Sequence, residues 1–256
     1  MITYPAQEQT FSELSMTALR QHYATLKAIF VYLIAFTALK GFYFSALDLS
    51  ISPYAKIAIH VAVAIIALFL IAAGLLVADR AFKGEPLSFK ASFLAALQRL
   101  PRAFAFLVLY IAGAYLARYF GWLLLYSIGK LINEQSAVHS AMLLISLIFL
   151  AVFMAIFCLM VPLSIVEEKV SVRMVYESII ISGKQKFGIL VLFLIVFFSG
   201  MFLSPVLFFH KLDFVKNYGL GSLVDFIILS IVAPFFINVL LLIINDGKIQ
   251  MSQEGI

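Results

Sequence analysis

Arg118 is the residue of this chain with the most chemistry to explain. Fifteen uncharged residues, 103–117, separate it from Arg102. That is too few to cross a bilayer, so Arg118 is expected inside the outer leaflet or near its edge. Tyr115, Tyr119, Trp122 and Tyr126 follow at i, i+4, i+7 and i+11, and Arg118 lies on the same stripe. A forked guanidinium donor between aromatic walls suits a lipid phosphate or another anion, with Arg118, Tyr115 and Trp122 as contacts. The same pattern also describes an aromatic belt with a snorkelling arginine.

Intramembrane polar residues are costly unless paired or hydrated, so they are the next candidates. Lys40, Asp225 and Asn238 form one expected polar cluster. Asp225 lies near the same outer face as Arg118 and is placed to neutralise it. Such a cluster serves as an ion or proton relay, or as a staple between helices, and Asn238 suits a bridge between two of them. His60 and His139 fall at the outer interface and have no Cys or carboxylate spacing around them that suggests a metal. Cys158, the single cysteine, sits in an apolar run and reads as a packing residue rather than a reactive thiol. Glu167, Glu168 and Asp79 are the only carboxylates placed for catalysis on the cytoplasmic face. There is no His-Glu-x-x-His, Gly-x-Ser-x-Gly or Walker motif, and no cofactor or metal is expected.

The elements that position these residues follow from composition. Hydrophobic residues make up 64% of the 256 residues and charged residues 12%, about half the roughly 25% of soluble domains; mean hydropathy is +1.09. The stretches 141–166 and 187–209 hold no Asp, Glu, Lys or Arg, and each exceeds the about 20 helical residues that cross a bilayer core. The expected fold is an all-α, polytopic membrane protein. Its six transmembrane helices are placed at 26–47, 57–78, 103–128, 139–166, 187–209 and 223–245, within a single domain over 1–256. Signal-peptide cleavage is not expected, because the first 25 residues are polar and carry Glu8 and Glu13.

The plan repeats. Three parallel units, about 10–78, 86–166 and 171–245, each read as a short amphipathic elbow followed by a helical hairpin. Glu85-Pro-Leu-Ser88 lies over Glu168-Lys-Val-Ser171, and Phe104 over Phe187. Ser88 is expected to cap an elbow whose apolar stripe is Phe89, Phe93, Ala96, Leu97 and Leu100. Ser171 is expected to cap another, with Val172, Val175, Tyr176 and Ile179 on one face and an Arg173/Glu177 pair opposite. Thr10 to Glu13 has the pattern of a capping box for the first copy. Such elbows lie in the headgroup plane. Twelve of the 18 Lys and Arg residues fall on the side of the two termini, which predicts cytoplasmic termini. The net charge of +5 is absorbed by topology and gives nucleic-acid binding no support.

From Pro162-Leu-Ser-Ile-Val-Glu-Glu-Lys-Val170 through Tyr176, Glu177 and Ser178 to Lys186-Phe187, the chain resembles the YciC-like family of bacterial inner-membrane proteins. It is also similar to the membrane-domain group attached to some glycerophosphodiester phosphodiesterases, which shares the six-span plan. Gly183-Lys-Gln-Lys186 departs from the family's tryptophan-bearing elbow end. The resemblance implies a multi-pass protein of the bacterial inner membrane acting on the envelope or lipid, and it brings no catalytic residues. The expected function is non-enzymatic: support of envelope or lipid homeostasis by binding membrane lipids or a membrane-protein partner. The alternative is a transporter or channel for a small amphiphile or anion, which needs Arg118 and Asp225 at one interior cavity. A membrane-embedded lipid enzyme would need two converging titratable groups on the cytoplasmic face, which only Glu167, Glu168 and Asp79 offer.

Overall fold

A computed structural model describes residues 4–5, 9–47, 52–85, 87–132, 148–150, 152–153, 156–167, 173–184 and 220–253. Among them there is no strand. The helices are α1 (Phe11–Leu47), α2 (Pro53–Phe82), α3 (Phe89–Ile132), α4 (Met160–Val166), α5 (Arg173–Lys184) and α6 (Leu220–Gln253). Four are long and apolar enough to cross a membrane, over Ser12–Tyr43, Pro53–Phe82, Phe89–Leu123 and Phe226–Gln253. These are the marks of an integral membrane protein, and they contain the first, second, third and sixth expected spans. The fifth expected span, 187–209, and much of the fourth, 139–166, lie outside the described residues.

The leading segments differ from expectation. In the first two copies the elbow is not a separate helix. α1 runs unbroken from Phe11, because nothing between Phe11 and Lys40 is a glycine or proline. α3 likewise runs from Phe89 through Pro101 to Ile132. Proline costs one backbone bond there, and the neighbouring helical bonds carry the helix through it. In the third copy the described helix is α5, Arg173–Lys184.

Local chemistry sets the ends that can be seen. Ser52 caps α2, its Oγ accepting from the Ala55 N–H at 3.3 Å, with Pro53 in the first turn. At the other end Gly84, at φ 76°, donates to the Ala81 carbonyl, and the Glu85 N–H donates to the Arg80 carbonyl. This is the Schellman closure, whose left-handed position glycine fills without strain. Ser88 caps α3 as expected, accepting from the Ala91 N–H. At Thr10 the Glu13 carboxylate accepts from the Thr10 N–H at 2.8 Å, and the Thr10 hydroxyl donates to the same oxygen at 2.7 Å. That is half of the expected box. Ser171 lies outside the described residues.

The chain divides into two compact units, Met1–Pro101 with Gln185–Ile256, and Arg102–Lys184. In the first, α1 packs against both α2 and α6. α1 and α6 are antiparallel: Gln9 meets Asp246, Thr25 meets Asn238, and Phe30 meets Phe226 edge-on at 5.8 Å. Ile29, Leu76, Leu241, Leu242 and Ile243 are fully buried. The start of α3 reaches this unit through long aromatic side chains. Tyr32 stacks on Phe89 at 5.7 Å, and Phe69 meets Phe93 at 4.8 Å. The Tyr32 and Ser92 hydroxyls share a buried hydrogen bond.

In the second unit, Phe153 packs on Gly113, where a Cβ would come within 2.3 Å of the ring. Tyr110 at 5.9 Å and Phe157 at 4.6 Å flank that ring. A turn at Cys158–Leu159 precedes α4. Pro162 explains it, since its ring collides with the carbonyl four residues back, that of Cys158. α5 packs on α4 and buries Met174, Ser178, Ile181 and Ser182. The expected apolar stripe is the other face: Tyr176 and Ile179 are exposed.

Candidate functional site

Helix α3 carries the aromatic stripe on an open face. Tyr115, Tyr119, Trp122 and Tyr126 are all exposed, as is Arg118. The rings order one another: Tyr119 stacks on Trp122 at 6.2 Å and 22°, and Trp122 on Tyr126 at 5.3 Å and 16°. The result is an offset ladder of three rings along one line of the helix. Spacings of three and four residues produce it, because they return to the same face within one turn. Tyr115 sits one turn below, 70% exposed. Among the described residues no carboxylate pairs with Arg118; the ion pairs formed there are Arg80–Glu85, Lys83–Asp79 and Arg173–Glu177.

Of Lys40, Asp225 and Asn238, the structure describes the surroundings of Asn238 most fully. Its side chain is buried and fully engaged, accepting from the Thr25 hydroxyl at 2.6 Å and donating to the Ala18 carbonyl at 2.9 Å. It bridges α1 and α6. Lys40 lies fifteen residues beyond Thr25 on α1, about 22 Å along the axis at 1.5 Å per residue, with its Nζ buried. Asp225 belongs to α6, and its side chain lies outside what is described. His60 is exposed at the start of α2, where Nδ1 bonds the Lys56 carbonyl and the ring meets Tyr43 edge-on. His139 lies outside the described residues.

The most heavily engaged polar groups are ones that pattern reading passed over or did not combine. Asp79, in the last turn of α2, and Asp246, near the end of α6, are 1% and 3% exposed. Asp79 accepts from the Tyr4 hydroxyl at 2.7 Å and from Lys83 Nζ at 2.7 Å. The ring of Tyr4 lies against Phe82, and its N–H donates to the Phe82 carbonyl. Asp246 accepts from the Gln9 N–H at 2.9 Å, and Asn245 donates to the Pro5 carbonyl. The N-terminal residues thus tie down the ends of α2 and α6. Carboxylates at helix C-termini oppose the helix dipole. Asp79, in the last turn of α2, is such a carboxylate, and that mismatch was the signal available in the sequence.

In the second unit Arg102 donates from its guanidinium to the carbonyl of Glu167, the C-cap of α4. A cation closing a helix C-terminus is favoured by the same dipole. Arg173 pairs with Glu177 at 3.0 Å, as the spacing predicts. Among the described residues no group of His, Cys, Asp and Glu is placed to hold a metal. Asp79 belongs to the first unit and Glu167 to the second, and Glu168 lies outside the described residues.

No protein-family model matches the chain, and neither do the curated proteins nor the solved structures searched.

Proposed function

We propose that the chain is a non-enzymatic, multi-pass protein of the bacterial inner membrane, with both termini cytoplasmic, that supports envelope or lipid homeostasis by binding lipid. The observation that carries the reading is Arg118: an exposed guanidinium on a transmembrane helix, beside a stacked aromatic ladder, with no carboxylate partner among the described residues. A charge so placed is stabilised by phosphate oxygens at the membrane surface. The family reading rests on the sequence resemblance over Pro162–Phe187. The transport alternative asks Arg118 to face an interior cavity shared with Asp225, and its exposure favours the lipid reading.

The test is native mass spectrometry of gently extracted protein, comparing wild type with Arg118→Leu. A lipid retained by the wild type and lost from the variant supports the reading. Equal, unselective lipid on both overturns it and leaves Arg118 as a belt residue.

A further inference from the structure

We infer that the ladder of α3 is selective for phospholipids whose headgroup is net anionic, held with the phosphate at Arg118 and the headgroup along Tyr119, Trp122 and Tyr126. The inference rests on the lipid-binding reading above and adds the class of lipid.

The first support is depth. Arg102 and Arg118 bracket fifteen uncharged residues, so their Cα atoms are about 24 Å apart along the helix at 1.5 Å per residue. That is a little short of a hydrocarbon core of about 30 Å. Arginine stems lie along apolar surface while their heads reach for polar ground. Arg102 bonds the Glu167 carbonyl at the end of α4. Arg118 then stands inside the opposite leaflet near its edge, and its side chain reaches for the phosphate plane along residues 119–126.

The second support is what the rings offer. Trp122 has Tyr119 stacked on one side and Tyr126 on the other. A quaternary ammonium is recognised by the open, negative face of an aromatic ring, and both faces of Trp122 are turned toward neighbouring rings. The rims remain, and ring rims are the positive part of the quadrupole. They bring indole N–H and phenol O–H donors with them. Together with the five donors of a guanidinium, the strip carries net positive charge and more donors than acceptors. Its complement is a phosphodiester with hydroxyl-bearing groups, as in a phosphatidylglycerol headgroup.

The third support is charge balance. Asp79 pairs with Lys83, and Arg173 with Glu177, whereas Arg118 has no carboxylate partner among the described residues. A zwitterionic lipid brings its own cation to that position. A net anionic one completes the pair.

The experiment reconstitutes the full chain in nanodiscs of equal parts phosphatidylglycerol and phosphatidylcholine, and reads the lipids retained on release by native mass spectrometry. The wild type is expected to keep phosphatidylglycerol over phosphatidylcholine by about tenfold, the factor that one charge-assisted hydrogen bond supplies. Arg118→Leu, or Arg118→Gln if the first is not recovered folded, loses that preference. Trp122→Ala frees the ring faces of its neighbours and should raise retained phosphatidylcholine. Two failures are distinguishable. Both lipids kept equally by the wild type and both lost from Arg118→Leu overturns the anionic class and leaves lipid binding standing. Retention that is the same in wild type and variant overturns both.

Discussion

Two regions of this molecule handle charge in opposite ways. At the closed end of the first unit, Asp79 and Asp246 are buried and every visible contact is supplied by the chain itself: Tyr4, Lys83 and the Gln9 N–H. On the open face of α3, Arg118 is exposed and no carboxylate among the described residues meets it. A buried ion left without donors costs several kcal/mol, so the first arrangement has to be complete within the fold. A charge at the membrane surface is matched by whatever the lipid provides. Internal completeness marks a structural lock, and internal incompleteness on a transmembrane helix marks a contact with the surroundings.

The largest effect should come from breaking the lock. Asp79→Ala removes the acceptor for both Tyr4 and Lys83, and hydrogen bonds to a charged group contribute about 1.5–3 kcal/mol each in net terms. Lys83 is 41% exposed and can turn to water, so the loss should be about 2–3 kcal/mol, seen as a lower unfolding midpoint in detergent. Pairing it with Tyr4→Phe sharpens the point. If Tyr4 acts through Asp79, the double variant should lose less than the sum of the single ones. Strict additivity would separate the N-terminal residues from the lock.

A smaller effect is expected on the closed face of α3, at Gly113. Alanine is the better helix former by about 1 kcal/mol, but its Cβ would meet the Phe153 ring at 2.3 Å. The ring is held between Tyr110 and Phe157 and cannot swing freely. Overpacking costs about 1–3 kcal/mol, so Gly113→Ala should be destabilised by about 1 kcal/mol net. Phe153→Leu should restore the loss when added to it. Destabilisation that survives the second change would argue that Gly113 serves something other than room for that ring.

Next comes Asn238, a polar bridge in the middle of the lock's own helices. Asn238→Ala strands the Thr25 hydroxyl, which can turn back to a carbonyl of its own turn, as Thr37 does with Leu33. Hydrogen bonds between membrane helices average about 0.6 kcal/mol, with the strongest near 1.7. A loss of about 1 kcal/mol is expected, smaller when Thr25 is already alanine, since only the bond to the Ala18 carbonyl is then left to lose. An equal loss in both backgrounds would assign the effect to packing.

The helices and several of their ends were legible in the sequence because each rests on local chemistry. Composition and run length mark α1, α2, α3 and α6 as membrane helices. Ser88 announces the start of α3, and the i, i+4 spacing announces Arg173 with Glu177. What was not legible depends on neighbours. Amphipathic patterning at 88–100 looks the same whether the segment lies in the headgroup plane or continues into the span. That one helix runs on through Pro101 is a property of the folded chain and is not written in that pattern. α5 has two usable faces, and the buried one holds Ser178 and Ser182 rather than the more apolar Tyr176 and Ile179. Small side chains permit close approach, a preference hydrophobicity alone does not reveal. At the candidate site the stripe from Tyr115 to Tyr126 could be read from spacing, while the ring stacking could not. Tyr4 lies 75 residues from Asp79 and Gln9 237 from Asp246, beyond any local pattern.

The smallest effect on stability belongs to Arg118, and its smallness is informative. Leucine at 118 removes no ion pair seen within the chain and replaces a charge on a transmembrane face with an apolar side chain. Exposed substitutions of this kind fall within about 0.5 kcal/mol, so the unfolding midpoint in lipid-free detergent should be unchanged. The midpoint in anionic-lipid mixed micelles is where wild type and variant should part. A ligand that binds only the folded state raises its stability by mass action, and the wild type alone should gain. A loss in lipid-free detergent comparable to that of Asp79→Ala would place Arg118 inside a lock of its own and erase the difference between the two regions. No loss in detergent, with a lipid-dependent gain confined to the wild type, would locate the missing partner of Arg118 in the bilayer.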